Sequence, residues 1–146
     1  MKNDKYLFLE FLAIISTIPA QIFSMILKYF GFAKYSMFDL ASLVITFNRP
    51  SIVMGLFVDA LISGLIAITF YYIFEKLGSD YLVIKVILGS FFAWFVFELL
   101  LTSTIEGKYI AIRPMSDYYS HILGTMVFGI VLGVLMKKFF FNKSNS

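Results

Sequence analysis

The chain has 146 residues, of which 60% are hydrophobic and 14% are charged, and its mean hydropathy is +0.89. Soluble proteins are about 45–50% apolar and about 25% charged, and a soluble fold of this size has too little interior to bury such an excess. The net charge of +3 is spread without a basic stripe, which argues against nucleic acid as a partner, and zero cysteines exclude disulfides and thiolate sites.

The first hydrophobic run, residues 6–27, is long enough to cross a bilayer core of about 30 Å as a helix. Lys2 and Lys5 precede this run, so cleavage as a signal peptide after Ala20 is an alternative. Glu10 lies early in the run, and the run exceeds the roughly 7–15 apolar residues of a signal peptide. We therefore interpret it as a transmembrane helix of the mature protein.

Residues 36–48 are too short and too polar to cross the membrane. The polar residues in this segment recur every three or four positions, which places them on one face of a helix. The opposite face is apolar. The pattern predicts an interfacial amphipathic helix in the membrane plane with Asp39 toward water, and an ordinary loop is the alternative. The polar face consists of Ser36, Asp39, Ser42 and Thr46.

Three further runs, residues 51–74, 81–102 and 118–136, complete a four-helix transmembrane bundle. The predicted fold class is therefore an all-α membrane protein, with residues 1–146 as a single membrane domain. Four spans place both termini on one side, and that side carries more cations, which predicts cytoplasmic termini. The cations are Lys2, Lys5, Lys76, Lys85, Lys137, Lys138 and Lys143 on the terminal side, and Lys28, Lys34, Arg49, Lys108 and Arg113 on the opposite side.

Glu10 and Lys85 lie inside the predicted spans near the side of the termini, and three further ionisable residues, Asp59, Glu98 and His121, fall inside or just within the spans away from the termini. Because consecutive spans alternate in direction, all three lie in one layer near the side opposite the termini. Charged groups at membrane depth cost about 2.5–3.5 kcal/mol each and are tolerated where they find partners inside a bundle. We interpret this layer as a structural hydrogen-bond cluster that orients the helices, with a polar pocket that binds a cationic or polar ligand or relays protons as the alternative. Asp59 and Glu98 are the acceptors, and the candidate counter-charges are Arg49, Arg113 and His121.

Small residues mark the helix faces on which the predicted spans approach each other closely. We interpret these stripes as internal packing, with a dimer surface as the alternative. The residues concerned are Gly55, Ser63, Gly89, Ala93, Gly129 and Gly133.

The chain contains a single histidine and no Glu-x-x-His or His-x-x-x-His spacing, so we predict no metal site and no cofactor. No Gly-x-Ser-x-Gly motif supports Ser/His/Asp catalysis, and we assign no catalytic residue.

The pattern from Phe47 to Met136 resembles a group of small, uncharacterised four-span membrane proteins of endospore-forming Firmicutes. This resemblance implies a bacterial cytoplasmic membrane and brings no activity with it. It rests on Tyr71-Tyr72 followed by Glu75-Lys76, on the span from Gly89 to Leu101 with its central Trp94, and on Gly107, Ile112 and Pro114 ahead of the glycine-rich last helix.

The first functional interpretation is a non-enzymatic accessory or interaction protein, because the loops are short and the buried polar groups can be structural. A small transport or proton-coupled protein that uses Asp59 and Glu98 is the alternative, and a lipid-modifying membrane enzyme is the third. The expected partner is membrane lipid, with another membrane protein or a second copy of the chain as further partners. A polar cavity around Asp59 and Glu98 would favour the second or third interpretation, whereas a dry, fully paired cluster would favour the first.

Overall fold

A computed structural model describes residues 4–142, and most of this part of the chain is helical. Four of the helices are long and apolar enough to cross a membrane, and a short helix lies between the first two. The predicted fold class is therefore confirmed, and the chain has the architecture of a multi-pass membrane protein. The helices are α1 (Lys5–Tyr29), α2 (Met37–Thr46), α3 (Ile52–Leu77), α4 (Leu82–Thr104) and α5 (Met115–Met136), followed by a π-helical turn (Lys137–Phe141).

Each long helix begins and ends within three residues of its predicted span. The largest difference at a helix start is in α5, which begins at Met115, directly after Pro114, instead of at 118. Proline has a fixed φ suited to helix starts and lacks the N–H that a helix start leaves unpaired. The earlier start adds a turn of helix, and this turn contains Asp117.

The two halves of the bundle differ in character. α1 packs against α3 and α5, and α4 packs against α5, whereas α3 and α4 contact each other much less. The main apolar core fills the half nearest the termini, where the start of α1 and α4 meets the end of α3 and α5. Leu9, Phe74, Val86 and Leu132 represent the four long helices in this core. The polar side chains predicted to form a site lie in the other half.

Glycines allow α4 and α5 to approach closely. A Cβ atom added at Gly129 would lie 2.9 Å from the Cα of Ile87, and one added at Gly133 would lie 3.0 Å from the Cα of Val83. Because these neighbours are backbone atoms, a side chain at either glycine would push α4 and α5 apart. Both glycines therefore face another helix of the same chain.

The remaining glycines of the predicted stripes meet different neighbours. A Cβ atom at Gly89 of α4 would lie 2.7 Å from the ring of Phe70, at the limited contact between α4 and α3. A Cβ atom at Gly55 of α3 would overlap the backbone carbonyl of Phe38 in α2. The absence of a side chain at Gly55 thus allows the short helix α2 to pack directly against α3.

The polar face of α2 lies inside the protein, which corrects the expectation that Asp39 faces water. Asp39 is 4% exposed, and its Oδ2 accepts hydrogen bonds from the Nζ of Lys28 at 2.5 Å and from the backbone N–H of Ser36 at 2.9 Å. The side chain of Ser36 in turn accepts from the N–H of Asp39, which completes a capping box. Of the apolar face, Leu43 is buried as well, whereas Val44 is exposed. Periodicity identified the polar face, but caps and an ion pair turn it inward.

Hydrogen bonds from its polar face hold α2 across the end of the bundle. The Oγ of Ser42 accepts from the backbone N–H of Ser51, at the start of α3, at 3.0 Å. The backbone N–H of Met37 donates to the Oγ of Ser24 in α1 at 2.9 Å. α2 therefore lies across the end of the bundle opposite the termini, and Met37 is among the residues that line the space between the long helices there.

Candidate ligand or proton site inside the bundle

Asp59, Glu98 and His121 line one cavity of about 110 Å³. Asp59 follows the start of α3, Glu98 precedes the end of α4, and His121 follows the start of α5. At 1.5 Å per residue, all three lie about 9–11 Å inside the ends of their helices. The alternation of spans thus brings residues that are far apart in sequence to one depth.

The wall of the cavity is mostly apolar and includes three aromatic side chains, Trp94, Phe97 and Phe128. Ser63 of α3 and Ala93 of α4, predicted as packing residues, lie on the same wall. The hydroxyl of Ser63 donates to the backbone carbonyl of Ala60 in its own helix at 3.2 Å, so its proton is already engaged. An apolar wall with a few convergent polar groups is typical of a small-molecule site.

Four buried polar atoms on this wall lack a hydrogen-bond partner within residues 4–142: Oε1 of Gln21, Nε1 of Trp94, and both ring nitrogens of His121. Gln21 is 2% exposed and His121 is 1% exposed. A buried polar group without a partner costs about 1–3 kcal/mol, and folded proteins leave few of them. Their concentration on a single cavity suggests a site in which a bound species supplies the missing partners.

Arg113 is the cation of the site, and its side chain is fully buried. It belongs to the loop before α5, and its Nη2 donates to Oε2 of Glu98 at 2.5 Å while Nη1 lies 3.4 Å from Oε1. Nη2 also lies 3.2 Å from Oε2 of Glu106, and Nη1 lies 3.3 Å from Oδ2 of Asp117. The guanidinium stacks over the ring of Tyr118, 4.5 Å from its centroid. One guanidinium thus contacts three carboxylates.

Glu106 and Asp117 are functional candidates that the sequence analysis missed. A last span that starts at 118 places Asp117 in a loop. Its signal was the spacing of four between Asp117 and His121, which places both on one face of α5 once the helix starts at Met115. Arg113 lies four residues ahead of Asp117, in the loop before the helix. The Nε2 of His121 lies 3.7 Å from Oδ2 of Asp117. Glu106 carried no signal, since it lies in an irregular loop.

Asp117 also fastens the loop between α1 and α2 to the bundle. Its Oδ1 accepts from the backbone N–H groups of Lys34 and Tyr35 at 2.7 and 3.1 Å. Asp117 itself is fully buried. The same carboxylate therefore contacts the cation of the site and the segment that leads into α2.

Asp59 has no cationic partner among the ion pairs of residues 4–142. Its polar neighbours are Thr17 and Gln21 of α1. Arg49, a predicted counter-charge, is exposed in the loop before α3 and joins none of these ion pairs. The structure thus places Arg113 and His121 at the site and Arg49 outside it.

The pKa values of the loop groups follow from these contacts. Burial alone would lower the pKa of Arg113, but its hydrogen bond to Glu98 and the charges of Glu98 and Glu106 raise it above its usual value. Burial alone would raise the pKa of Glu106, but hydrogen bonds from Tyr118 and the backbone of Arg113 bring it below its usual value. Arg113 and Glu106 are therefore both charged at neutral pH.

Comparison with known proteins assigns no family to the chain. No protein-family model matches it, no curated protein matches it, and no solved structure matches its fold. Function is therefore inferred from the site itself.

Proposed function

We propose that the chain is a small transport or proton-coupled protein of the bacterial cytoplasmic membrane. Its cavity takes up protons or a small cationic ligand, with Asp59 and Glu98 as acceptors and His121 as a neighbouring proton carrier. The observation that carries this proposal is the convergence of carboxylates and unpartnered buried polar atoms on one cavity.

The charges around the cavity support a cationic occupant. Arg113 is shared by Glu98, Glu106 and Asp117, so one positive charge faces three carboxylates. Asp59 adds a fourth carboxylate, which forms no ion pair with the other described residues. Uncompensated charge at membrane depth is unfavourable, and uptake of protons or a cation relieves it.

The same observation ranks the alternatives. An accessory protein with a structural polar cluster is expected to have a dry and fully paired cluster, whereas Gln21, Trp94 and His121 have buried polar atoms without a hydrogen-bond partner in residues 4–142. A lipid-modifying enzyme would use the same carboxylates, and no further feature of the site favours it. Transport or proton coupling is therefore placed first.

Assembly and orientation complete the proposal. Four helices rarely enclose a continuous path, so we propose that a second copy of the chain, or another membrane protein, joins it in lipid. The excess of cations on the terminal side favours cytoplasmic termini. The cavity then lies closer to the outer face of the membrane.

The direct test is proton movement in proteoliposomes that contain a pH-sensitive dye. An imposed inward gradient of a small cation, or of protons, should change the internal pH faster in liposomes with the protein than in protein-free liposomes. Asp59→Asn should abolish the difference because it removes the negative charge that a proton or a cation would neutralise in the cavity.

The matched control is Asp80→Asn, the same chemical change in an exposed loop residue between α3 and α4. This variant should behave as the unchanged protein. Equal rates with and without protein, across protons and the cations tried, would refute transport and return the accessory interpretation to first place. Equal rates for the two variants would refute the role of Asp59.

A further inference from the structure

The cavity offers hydrogen-bond acceptors that match the donors of an ammonium group. The carboxylate of Asp59 lies beside Gln21, whose Oε1 lacks a donor within the described residues. A neutral imidazole carries one acceptor nitrogen, and that of His121 likewise lacks a partner there. A primary ammonium has three N–H donors and one positive charge. The carboxylate, the amide oxygen and the imidazole nitrogen thus provide one acceptor for each N–H of the ammonium group.

The wall of the cavity favours an organic cation over a metal ion. Trp94, Phe97 and Phe128 present aromatic side chains, and cations are attracted to the faces of such rings. Small inorganic cations instead require several oxygen or nitrogen ligands around one point. No group of three His, Asp or Glu side chains in residues 4–142 is arranged to hold a metal ion.

The size of the cavity limits the ligand. An engineered protein cavity of about 150 Å³ accommodates benzene, so this cavity of about 110 Å³ suits a smaller molecule of a few heavy atoms. A bare proton requires no such volume. The bound group is therefore a small amine, or the amine end of a larger molecule.

The indole of Trp94 adds a second requirement. Its Nε1 is a donor only, and it has no acceptor within the part of the chain that the structure describes. A ligand oxygen close to the ammonium group would accept this hydrogen bond. An ammonium and a neighbouring oxygen together define an amino alcohol unit.

We propose that the cavity binds the primary ammonium of a short amino alcohol unit, with Asp59 as its counter-charge and Trp94 as donor to its oxygen. This inference rests on the proposed function, because it names the ligand class of the same site. Free ethanolamine and the headgroup of phosphatidylethanolamine both carry this chemistry.

Three probes of equal heavy-atom count separate the parts of this proposal: ethanolamine, propylamine and ethylene glycol. Thermal melting of the purified protein in detergent at pH 7.5, over a series of probe concentrations, measures their binding. Ethanolamine should stabilise most, with a dissociation constant of about 0.1–10 mM, as expected for so small a ligand. Propylamine should bind more weakly, and ethylene glycol, which carries no charge, should not bind.

Variants then assign the contacts. Asp59→Asn should weaken binding of both amines by about tenfold or more, through loss of a charge-assisted hydrogen bond. Asp80→Asn should leave both unchanged. Trp94→Phe keeps an aromatic ring but lacks the N–H, so it should remove the preference for ethanolamine over propylamine and leave propylamine binding intact.

Nanodiscs distinguish the two sources of the ammonium. Ethanolamine that binds in phosphatidylcholine nanodiscs but is excluded in phosphatidylethanolamine nanodiscs would identify the lipid headgroup as the occupant, because the choline headgroup has no N–H to donate. Equal binding in both lipids would identify a free amine.

The proposal is overturned if neither amine stabilises the unchanged protein more than ethylene glycol does, or if Asp59→Asn binds amines normally. Its failure is distinct from failure of the proposed function. Proton movement that depends on Asp59, without amine binding, would leave a proton-coupled protein and remove the amine site. Amine binding without movement of protons or cations would keep the site and remove transport.

Discussion

The guanidinium of Arg113, in the loop before α5, forms an ion pair with the carboxylate of Glu98 in α4. The Nη2 of Arg113 lies 2.5 Å from the Oε2 of Glu98. The side chain of Arg113 is fully buried, and that of Glu98 is 7% exposed. A planar guanidinium can donate to several carboxylates at once, which a lysine ammonium does less well. This ion pair therefore joins α4 to the start of α5 at the level of the cavity.

Arg113→Lys should destabilise the protein by about 1.5–3 kcal/mol, the range for losing a charge-assisted hydrogen bond, because lysine keeps the charge but lacks the fork that reaches Glu98, Glu106 and Asp117 together. The measurement is the unfolding temperature in detergent. Arg49→Lys, the same change at an exposed arginine, is the control and should have no effect. Equal melting temperatures for the two variants would contradict the central role of Arg113.

The sequence was sufficient to place Asp59, Glu98 and His121 in one layer, because span direction and helical rise decide depth. It was not sufficient to identify the partners of these residues. The first turn of α5 is too polar to be found from hydropathy, and this turn contains Asp117. The contact of Glu106 with Arg113 depends on the path of a loop, which periodicity does not encode.

The sequence also could not predict which face of α2 is turned toward the bundle, and the reason is different. Periodicity divides a helix into a polar and an apolar face, and either face can be turned inward beside a membrane. The choice was made by tertiary contacts, in particular the ion pair of Asp39 with Lys28. The exposed Val44 and Ile45 then face outward from the bundle.

Asp59→Asn and Glu98→Gln should affect stability differently. Asp59 forms no ion pair within residues 4–142, so neutralising it should leave stability unchanged or raise it slightly. Glu98→Gln weakens a buried charge-assisted pair while Arg113 keeps two other carboxylates, so we expect a loss of about 1.5–3 kcal/mol. Melting in detergent at pH 7.5 provides the comparison. A clear loss for Asp59→Asn would mean that Asp59 has a structural partner of its own.

Gly55→Ala and Gly64→Ala form a matched pair on α3. A Cβ at Gly55 would overlap the backbone of Phe38, which cannot move without displacing α2, so we expect a loss of about 1–3 kcal/mol. A Cβ at Gly64 would meet the carboxylate of Glu10, the end of a flexible side chain that can turn aside. Alanine also favours the helix by about 1 kcal/mol over glycine. Gly64→Ala should thus be near neutral by thermal melting, and an equal loss at both positions would refute the distinction.

Lowering the pH should decrease the stability of the folded protein, because Glu106 in the loop between α4 and α5 becomes protonated. The pKa of Glu106 lies below its usual value of 4.5 in the folded protein. Its charged form therefore stabilises the fold fully above about pH 4.5, and this contribution is lost as the pH falls through the lowered folded pKa. The unfolding temperature of the unchanged protein should decrease over that acidic range more steeply than that of Glu106→Gln. Parallel curves would show that Glu106 does not contribute in its charged form.

Membrane orientation is accessible through single cysteines, because the chain has none of its own. Ser79 lies in the loop between α3 and α4, on the terminal side, and Lys108 lies in the loop between α4 and α5. Both positions are exposed. With cytoplasmic termini, Lys108→Cys should react with a membrane-impermeant thiol reagent in intact cells, whereas Ser79→Cys should react only after the cells are permeabilised.

The pattern of labelling distinguishes the possible orientations. Ser79→Cys labelled and Lys108→Cys protected in intact cells would invert the protein and place the cavity nearer the cytoplasm. Labelling of both in intact cells would mean that α4 does not cross the membrane, because α4 is the helix between the two positions. That result would also separate Glu98 from Asp59 in depth, and the site proposed here would not form in the membrane.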